Sequence, residues 1–246
     1  MPDKSELRSR KSLEIQKGGI ILKKQANLYI IRVMLQRIFG IVLFLLGSRL
    51  MMNVRSMVYF AMYFVFAVVS MALVRSANPE TLAARGTIAS NTPLWDKIVL
   101  AVYWAMAYFV IYYVAGLEMA IQPAAIGWVF GVGVALQVGA FLLSLWAVRT
   151  NPFLESVSRI QSERCQTVCC CGPYATIRHP LYAAVLIWCV GISMMFETKF
   201  TAILAGMIAI IILIRTVLED RMLTKELKGY SDYAVSVRYR LIPFIW

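Results

Sequence analysis

Charge is scarce in this 246-residue chain: Asp, Glu, Lys and Arg make up only 15% of it, against 60% hydrophobic residues and a mean hydropathy of +0.70. Soluble domains carry about a quarter charged residues, and so little polar surface cannot cover a water-soluble globule of this size. A large buried core would also be apolar, but several runs here approach the roughly 20 residues that cross a bilayer. Histidine is scarcer still, with His179 the only one. Of the five cysteines, Cys165, Cys169, Cys170 and Cys171 fall in a single loop and Cys189 lies within an apolar run. That loop is expected to face a reducing compartment, which argues against a disulfide framework. Cys165, Cys169 and His179 could ligate a metal, but the standard zinc pattern needs two C-x₂₋₄-C elements and three consecutive cysteines rarely all point at one ion, so no metal is expected. There is no internal repeat. No small-x-small site follows the first apolar run, and a cleaved signal peptide is not expected.

The apolar residues predict an all-α, polytopic transmembrane bundle of about six spans, near 38–52, 57–74, 98–117, 124–148, 181–196 and 200–218. Of the 25 Lys and Arg, 21 fall in the N-terminal arm, the 75–97 loop, the 149–180 loop and the C-terminal end, and Arg215 lies in the last span near that same end; only Arg49, Arg55 and Lys199 lie on the other side. The positive-inside rule then makes both termini cytoplasmic. The net charge of +12 is therefore a topology signal, with attraction to anionic lipid secondary. Nucleic acid is not an expected partner, because no recognition module accompanies the charge. The organisation predicted is a basic N-terminal arm (1–37), N-terminal transmembrane helices (38–148) and a catalytic region (149–246). Within the arm, Arg32 and Arg37 interleave with apolar residues, a pattern suited to a helix entering the membrane obliquely.

"GVGVALQVG" carries Gly131 and Gly133 but lacks the preceding strand and the later acidic residue of a dinucleotide fingerprint. Its small residues, with the Gly127/Gly131 pair, read as close helix packing in lipid.

The last two spans are separated by little more than "ETK" and must form an antiparallel hairpin. Folded at Thr198, Leu181 and Arg215 each lie 17 residues from the tip, roughly 25 Å at the rise of an α-helix. Glu219 then stands level with 177–179. Arg215 and Glu219, spaced i, i+4, share one helix face. An ionisable residue directly after "IAIIILI" is a functional candidate, although a snorkelling arginine in a helical salt bridge would explain it too. Pro173 and Pro180 stiffen the approach to His179, and Pro180 fits the first turn of a helix.

"GPYATIRHPLY", "RTVLEDRML" and "GYSDYAVSVRYRLIPFIW" together resemble the isoprenylcysteine carboxyl methyltransferase family of integral membrane enzymes, with closest likeness to its bacterial members. "NPFLESVSRIQSER" and the "NPETLAARG…WDK" loop share in the resemblance, which covers roughly residues 75–246. It implies transfer of a methyl group from S-adenosyl-L-methionine, without a Rossmann domain, at the cytoplasmic face of what would be a bacterial inner membrane. The cofactor residues it implies are Gln161, Gln166, Thr167, Val168, Cys169, Tyr174, His179, Pro180, Leu181, Tyr182 and Glu219. Arg215 would face the substrate, with Arg215, Glu219 and His179 as the catalytic group. The acceptor implied is lipid-like or prenylated, reached from the bilayer and bearing a carboxylate or thiol. Gln166 stands where the family often has histidine, Ala175 where bacterial relatives commonly have arginine, and Cys170 and Cys171 replace small or hydroxyl residues. Two other readings compete. One is a sterol-reductase-type enzyme using NADPH, disfavoured by the R-x-x-x-E pair and by the lack of extra basic residues for a 2′-phosphate. The other is a scaffold or transporter, disfavoured because few ionisable groups lie near the bilayer midplane.

Overall fold

A computed structural model of the chain describes residues 4–77, 79–86, 88–121 and 125–246, with side chains from Ile21 onward apart from Ala77 and Pro79. Its elements are α1 (Lys4–Gly47), α2 (Val54–Ala77), the short α3 (Pro79–Ala84), α4 (Leu94–Ala105), a π-helical turn (Met106–Val110), α5 (Ile111–Ile121) and α6 (Trp128–Thr150). They are followed by two 3₁₀ turns (Ser162–Arg164 and Gly172–Ala175), α7 (Pro180–Phe196), α8 (Lys199–Glu226) and α9 (Tyr230–Ser236). Among the described residues there is no strand. Five helical stretches are long and apolar enough to cross a membrane: Ile21–Gly47, Val54–Ser76, Leu94–Ile121, Trp128–Thr150 and Lys199–Glu226. The sixth apolar helix, α7, is shorter at 17 residues. It packs between α6 and α8 in the bundle.

The first span differs from the sequence expectation. α1 runs unbroken through the boundary drawn between arm and membrane at residues 37 and 38, and its apolar stretch begins at Ile21. Arg32 and Arg37 do not end the span, because tertiary neighbours receive them. Arg32 Nη1 donates to the Gly86 carbonyl at 3.0 Å, and the Arg37 guanidinium lies 3.9 Å from the centroid of the Tyr63 ring. The expected connection 118–124, including the start of the fourth span at Ala124, falls partly outside the described residues, as do the first three residues of the arm.

Leu35, Phe39, Val65, Ile98, Leu142 and Ile210 stand exposed along the long helices, as befits surfaces whose solvent is lipid. Inside, Phe44, Tyr59, Phe60, Tyr63, Tyr112 and Phe196 form an aromatic cluster. The Tyr59 hydroxyl meets that of Tyr112 at 3.2 Å and accepts the Trp188 indole N–H at 3.2 Å. Each polar tip buried in a bundle needs such a partner.

Two close helix crossings hold the bundle. A Cβ at Gly116 would stand 2.2 Å from the Phe44 carbonyl oxygen, and one at Gly47 would stand 2.3 Å from that of Tyr113. α1 and α5 therefore touch backbone to backbone, the small-residue packing of lipid-embedded helices. At the α6–α7 crossing the residue is Gly133, whose Cβ would fall 2.9 Å from the Met195 nitrogen. Gly127 and Gly131, expected to do this, face open space. Gly131 lies two residues, about 200° of helical rotation, from the packed face. At the end remote from His179, Arg55 donates to the Met195 carbonyl at 2.9 Å, to the Ala125 carbonyl and to Glu197. Glu118 accepts the Phe200 and Thr201 amides at the start of α8, at 2.7 and 2.8 Å.

The two glycine classes predict different responses. Gly116→Ala should lower stability in detergent by about 1–3 kcal/mol through overpacking, whereas Gly131→Ala should stay within about 0.5 kcal/mol of the parent. Thermal unfolding of the two variants side by side checks this, and equal melting would contradict the crossing.

Candidate functional site

The α7–α8 hairpin turns at Glu197, in a left-handed conformation with φ 51°, and Thr198, and Pro180 occupies the first turn of α7. Counting along the two helices therefore succeeds: Glu219 accepts a hydrogen bond from the Tyr182 hydroxyl, and its neighbour Asp220 lies 3.2 Å from His179 Nε2. Tyr182 occupies the centre. Its ring stacks on that of His179 with centroids 5.7 Å apart and lies 5.4 Å from the Arg215 guanidinium.

Arg215 has no ion pair with Glu219. Its partner is Asp96 of α4, fully buried, which accepts from Nε at 2.9 Å and from Nη2 at 3.3 Å. Nη2 also donates to the Ser156 carbonyl at 2.8 Å. Among the described residues Nη1 has no hydrogen-bond partner. Asp96 also accepts the Ser158 amide at 2.8 Å, and the Ser158 hydroxyl donates to Glu219 Oε2 at 2.6 Å. Tyr182 uses the same oxygen, so Glu219 Oε1 has no partner among the described residues. The snorkelling reading fails on burial, since Arg215 is 4% exposed.

The 151–161 segment, which delivers Ser156 and Ser158, is pinned from several sides. Thr81 donates to the Pro152 carbonyl at 2.7 Å, Arg85 to that of Leu154 at 3.1 Å, and Gln161 Nε2 to that of Phe153 at 2.6 Å. Arg159 and Glu155 form a two-pronged pair at 2.8 and 2.9 Å. Burial opposes the charge of Arg159, but Glu163 and Glu155 outweigh it and hold its pKa above the usual arginine range.

Asp220 is a second hub. Arg178 meets it with Nε and Nη2, both at 2.9 Å, Arg240 Nε at 2.8 Å and the Tyr230 hydroxyl at 2.9 Å. Arg178 Nη1 reaches the Val237 and Arg238 carbonyls at 2.8 and 3.0 Å. The backbone amides of Arg178 and His179 donate to Tyr239 and Arg240, each at 2.9 Å. The C-terminal segment is thereby laced to the base of α7. His179 is held from behind by Asp220 and Tyr230, and its Nδ1 makes no hydrogen bond among the described residues.

A cavity of about 580 Å³ opens in front of these groups, within the range of small-molecule sites, roughly 300–1,000 Å³. Gln161, Gln166, Thr167, Val168, Cys169, Tyr174, His179, Pro180, Leu181, Tyr182, Arg215 and Glu219 all line it. They are not equally available. Gln161 is spent on Phe153 and Arg164, and its amide donates to Gln166 Oε1 at 2.8 Å. Those two glutamines shape the loop. Tyr174 is buried, and its hydroxyl has no hydrogen-bond partner even though Asn151 is near. Burial pushes the Cys169 thiol up to about 11, with a further contribution from Cys171, whose sulfur is 3.9 Å away. It is therefore a thiol at neutral pH. Among the described residues no group of three His, Cys, Asp or Glu side chains is placed to hold a metal ion.

Fold and site define a polytopic helical membrane protein with a cavity lined by both polar and aromatic side chains. Residues 128–229 match the model of a family described as phospholipid methyltransferase, a family of the isoprenylcysteine carboxyl methyltransferase type. That match is to membrane methyltransferases. No curated protein matches the chain. The match includes His179, Tyr182, Arg215, Glu219 and Asp220 but not Asp96 or Arg240. Both of these were missed in the sequence. An acid in the first turn of an apolar helix, as in "LWDK", is the signal for Asp96, because a charge there needs a partner.

Two outcomes follow. Asp220→Asn should destabilise the fold by about 3–5 kcal/mol, since removing one member of a buried charge cluster leaves the others uncompensated. Trypsin should then cut at Arg238 and Arg240 faster than in the parent; an unchanged digestion pattern would refute the hub. Alkylation of Cys169, followed by mass spectrometry, should climb about tenfold per pH unit from pH 7 towards pH 11, because the reactive thiolate is the minor form over that whole interval. A plateau near pH 8 would contradict the burial.

Proposed function

We propose that the chain transfers a methyl group from S-adenosylmethionine to an amphipathic acceptor entering from the bilayer. The observation that carries the proposal is the set of unspent polar atoms in one cavity: Glu219 Oε1, Arg215 Nη1 and the buried Tyr174 hydroxyl. An ammonium and a sulfonium call for a carboxylate and aromatic faces, and a carboxylate calls for hydroxyl or N–H donors. This donor set fits the cofactor. When bound, S-adenosylmethionine supplies an electrophilic methyl group carried on positively charged sulfur.

The chain's own residues do the rest by positioning and electrostatics. Ser158 and Tyr182 lock Glu219 through Oε2 and turn Oε1 towards the cavity. His179, fixed by Asp220, backs the ring of Tyr182. Asp96 orients Arg215 so that Nη1 is left to direct an anionic acceptor. The pinned 151–161 segment keeps water from the reacting groups. An acceptor already ionised needs no base. The distribution of Lys and Arg supports placing this end of the bundle in the cytoplasm.

Two features of the sequence speak against the reductase alternative, the R-x-x-x-E pair and the lack of extra basic residues; the second is weakened, because Arg32, Arg37 and Arg85 line the cavity as well. The match over residues 128–229 supports the methyltransferase reading.

Calorimetry with S-adenosylhomocysteine on the detergent-solubilised protein tests the assignment. Glu219→Gln should weaken binding about 10- to 100-fold, the worth of a charge-assisted contact. The double variant Asp96→Asn/Arg215→Met, which removes both members of the buried pair, should keep the affinity within about threefold and lose at least about 100-fold in methyl transfer. Parent-like affinity in Glu219→Gln, or no binding to the parent protein at all, would end this reading.

A further inference from the structure

Six arginines line the cavity. Three are matched by carboxylates: Arg159 by Glu155, Arg178 by Asp220 and Arg215 by Asp96. Arg32, Arg37 and Arg85 have no carboxylate within ion-pair reach among the described residues. Arg32 and Arg85 lean on carbonyls and a tyrosine hydroxyl: the former on Gly86 at 3.0 Å, the latter on Leu154 at 3.1 Å and Tyr29 at 3.4 Å.

Arg37 lies deeper along α1. Its guanidinium sits 3.9 Å from the Tyr63 ring centroid and 5.5 Å from that of Tyr108, a residue of the π-helical turn. Its Nε is buried and donates to nothing. The Tyr63 hydroxyl, on a side chain only 7% exposed, makes no well-formed hydrogen bond either, even though the Arg37 side chain is near enough to interact with it. The contrast with Tyr59, one helical turn away and doubly bonded, is local and specific. Aromatic faces stabilise a cation by roughly 0.5–2 kcal/mol, which does not offset a full charge in an apolar span. An unsatisfied guanidinium and an unsatisfied hydroxyl, side by side on a cavity wall, are what an oxyanion would complete.

We propose that Arg37 and Tyr63 form a binding site for the anionic head group of the acceptor, a phosphate ester or a carboxylate. The reading rests on the methyltransferase assignment only for calling the ligand an acceptor. Guanidinium N–H and phenolic O–H both donate to the head group, and Arg85 and Arg32 add positive potential towards the loop. The apolar wall beyond, where Phe66 and Phe141 stack 4.2 Å apart, takes the hydrocarbon chain. The head-group site draws on α1, α2 and the π-helical turn, all outside the matched segment, although Phe141 of the apolar wall lies within it, and on no group assigned above to cofactor or methyl transfer.

The test uses the full chain in detergent, titrated with dodecyl phosphate, with dodecanoate and with uncharged dodecanol. Both anions should bind at least about tenfold more tightly than the alcohol, and the difference should survive 0.5 M salt because the site is buried. Whichever anion binds more tightly identifies the head group. Arg37→Met should abolish the preference, Arg37→Lys should retain part of it, and Tyr63→Phe should reduce it about threefold. S-adenosylhomocysteine should bind all three variants as it binds the parent. Equal affinity of the unmodified protein for anion and alcohol would overturn the site, and this arm needs no variant to fold. So would an Arg37→Met protein that keeps the preference. Loss of S-adenosylhomocysteine, or of a dinucleotide phosphate, in Arg37→Met with the anion preference intact would reassign the arginine to a cofactor. Failure of the parent to bind S-adenosylhomocysteine, with the anion preference present, would sink the methyltransferase reading and leave the anion site standing.

Discussion

Two carboxylates, Asp96 and Asp220, hold the cavity end of this bundle together by neutralising the buried arginines Arg215 and Arg178. A guanidinium inside a low-dielectric bundle is costly, and the attraction between opposite charges repays the cost only when geometry and extra hydrogen bonds are good. Both clusters meet that condition. Asp96 draws α4, α8 and the 151–161 segment to one point through Arg215 and the Ser158 amide. Asp220 gathers the start of α7, α9 and the C-terminal segment through Arg178, Tyr230 and Arg240. The chain is threaded around its ion pairs.

Between the two clusters lies a division of labour set by helix geometry. Glu219 and Asp220 are neighbours in α8 and so point about 100° apart. One reaches into the cavity with an oxygen to spare, and the other turns back to the C-terminal segment with both oxygens engaged. Tyr182 spans the gap, touching His179, Arg215 and Glu219 at once. A guanidinium, a carboxylate with a free oxygen and a braced imidazole are thereby kept apart by one ring.

The cavity belongs to both parts of the chain. Residues 128–229 supply the polar end, while α1–α5 supply Asp96, the arginine-rich wall and the aromatic floor. Without Asp96, Arg215 would be an unpaired buried charge. The matched segment thus depends on the N-terminal helices for its electrostatics.

The α7–α8 hairpin, the place of Pro180 at its start and the meeting of His179 with the far end of α8 were legible in the sequence, because they follow from rise per residue and a short turn. So was the all-helical membrane character, which composition and run length impose. The Arg215–Asp96 pair was not legible, since 119 residues separate its members and no local period links them. Nor was Gly133 as the packing residue, because which face of a helix is buried depends on its neighbour; nor was α1 as one unbroken helix, because the groups beside Arg32 and Arg37, Gly86, Tyr63 and Tyr108, come from distant segments. By itself the sequence determined which helices form and how far along each one its charges lie. Tertiary structure alone decided which charge meets which, because pairing in a bundle is fixed by crossings between helices distant in the chain.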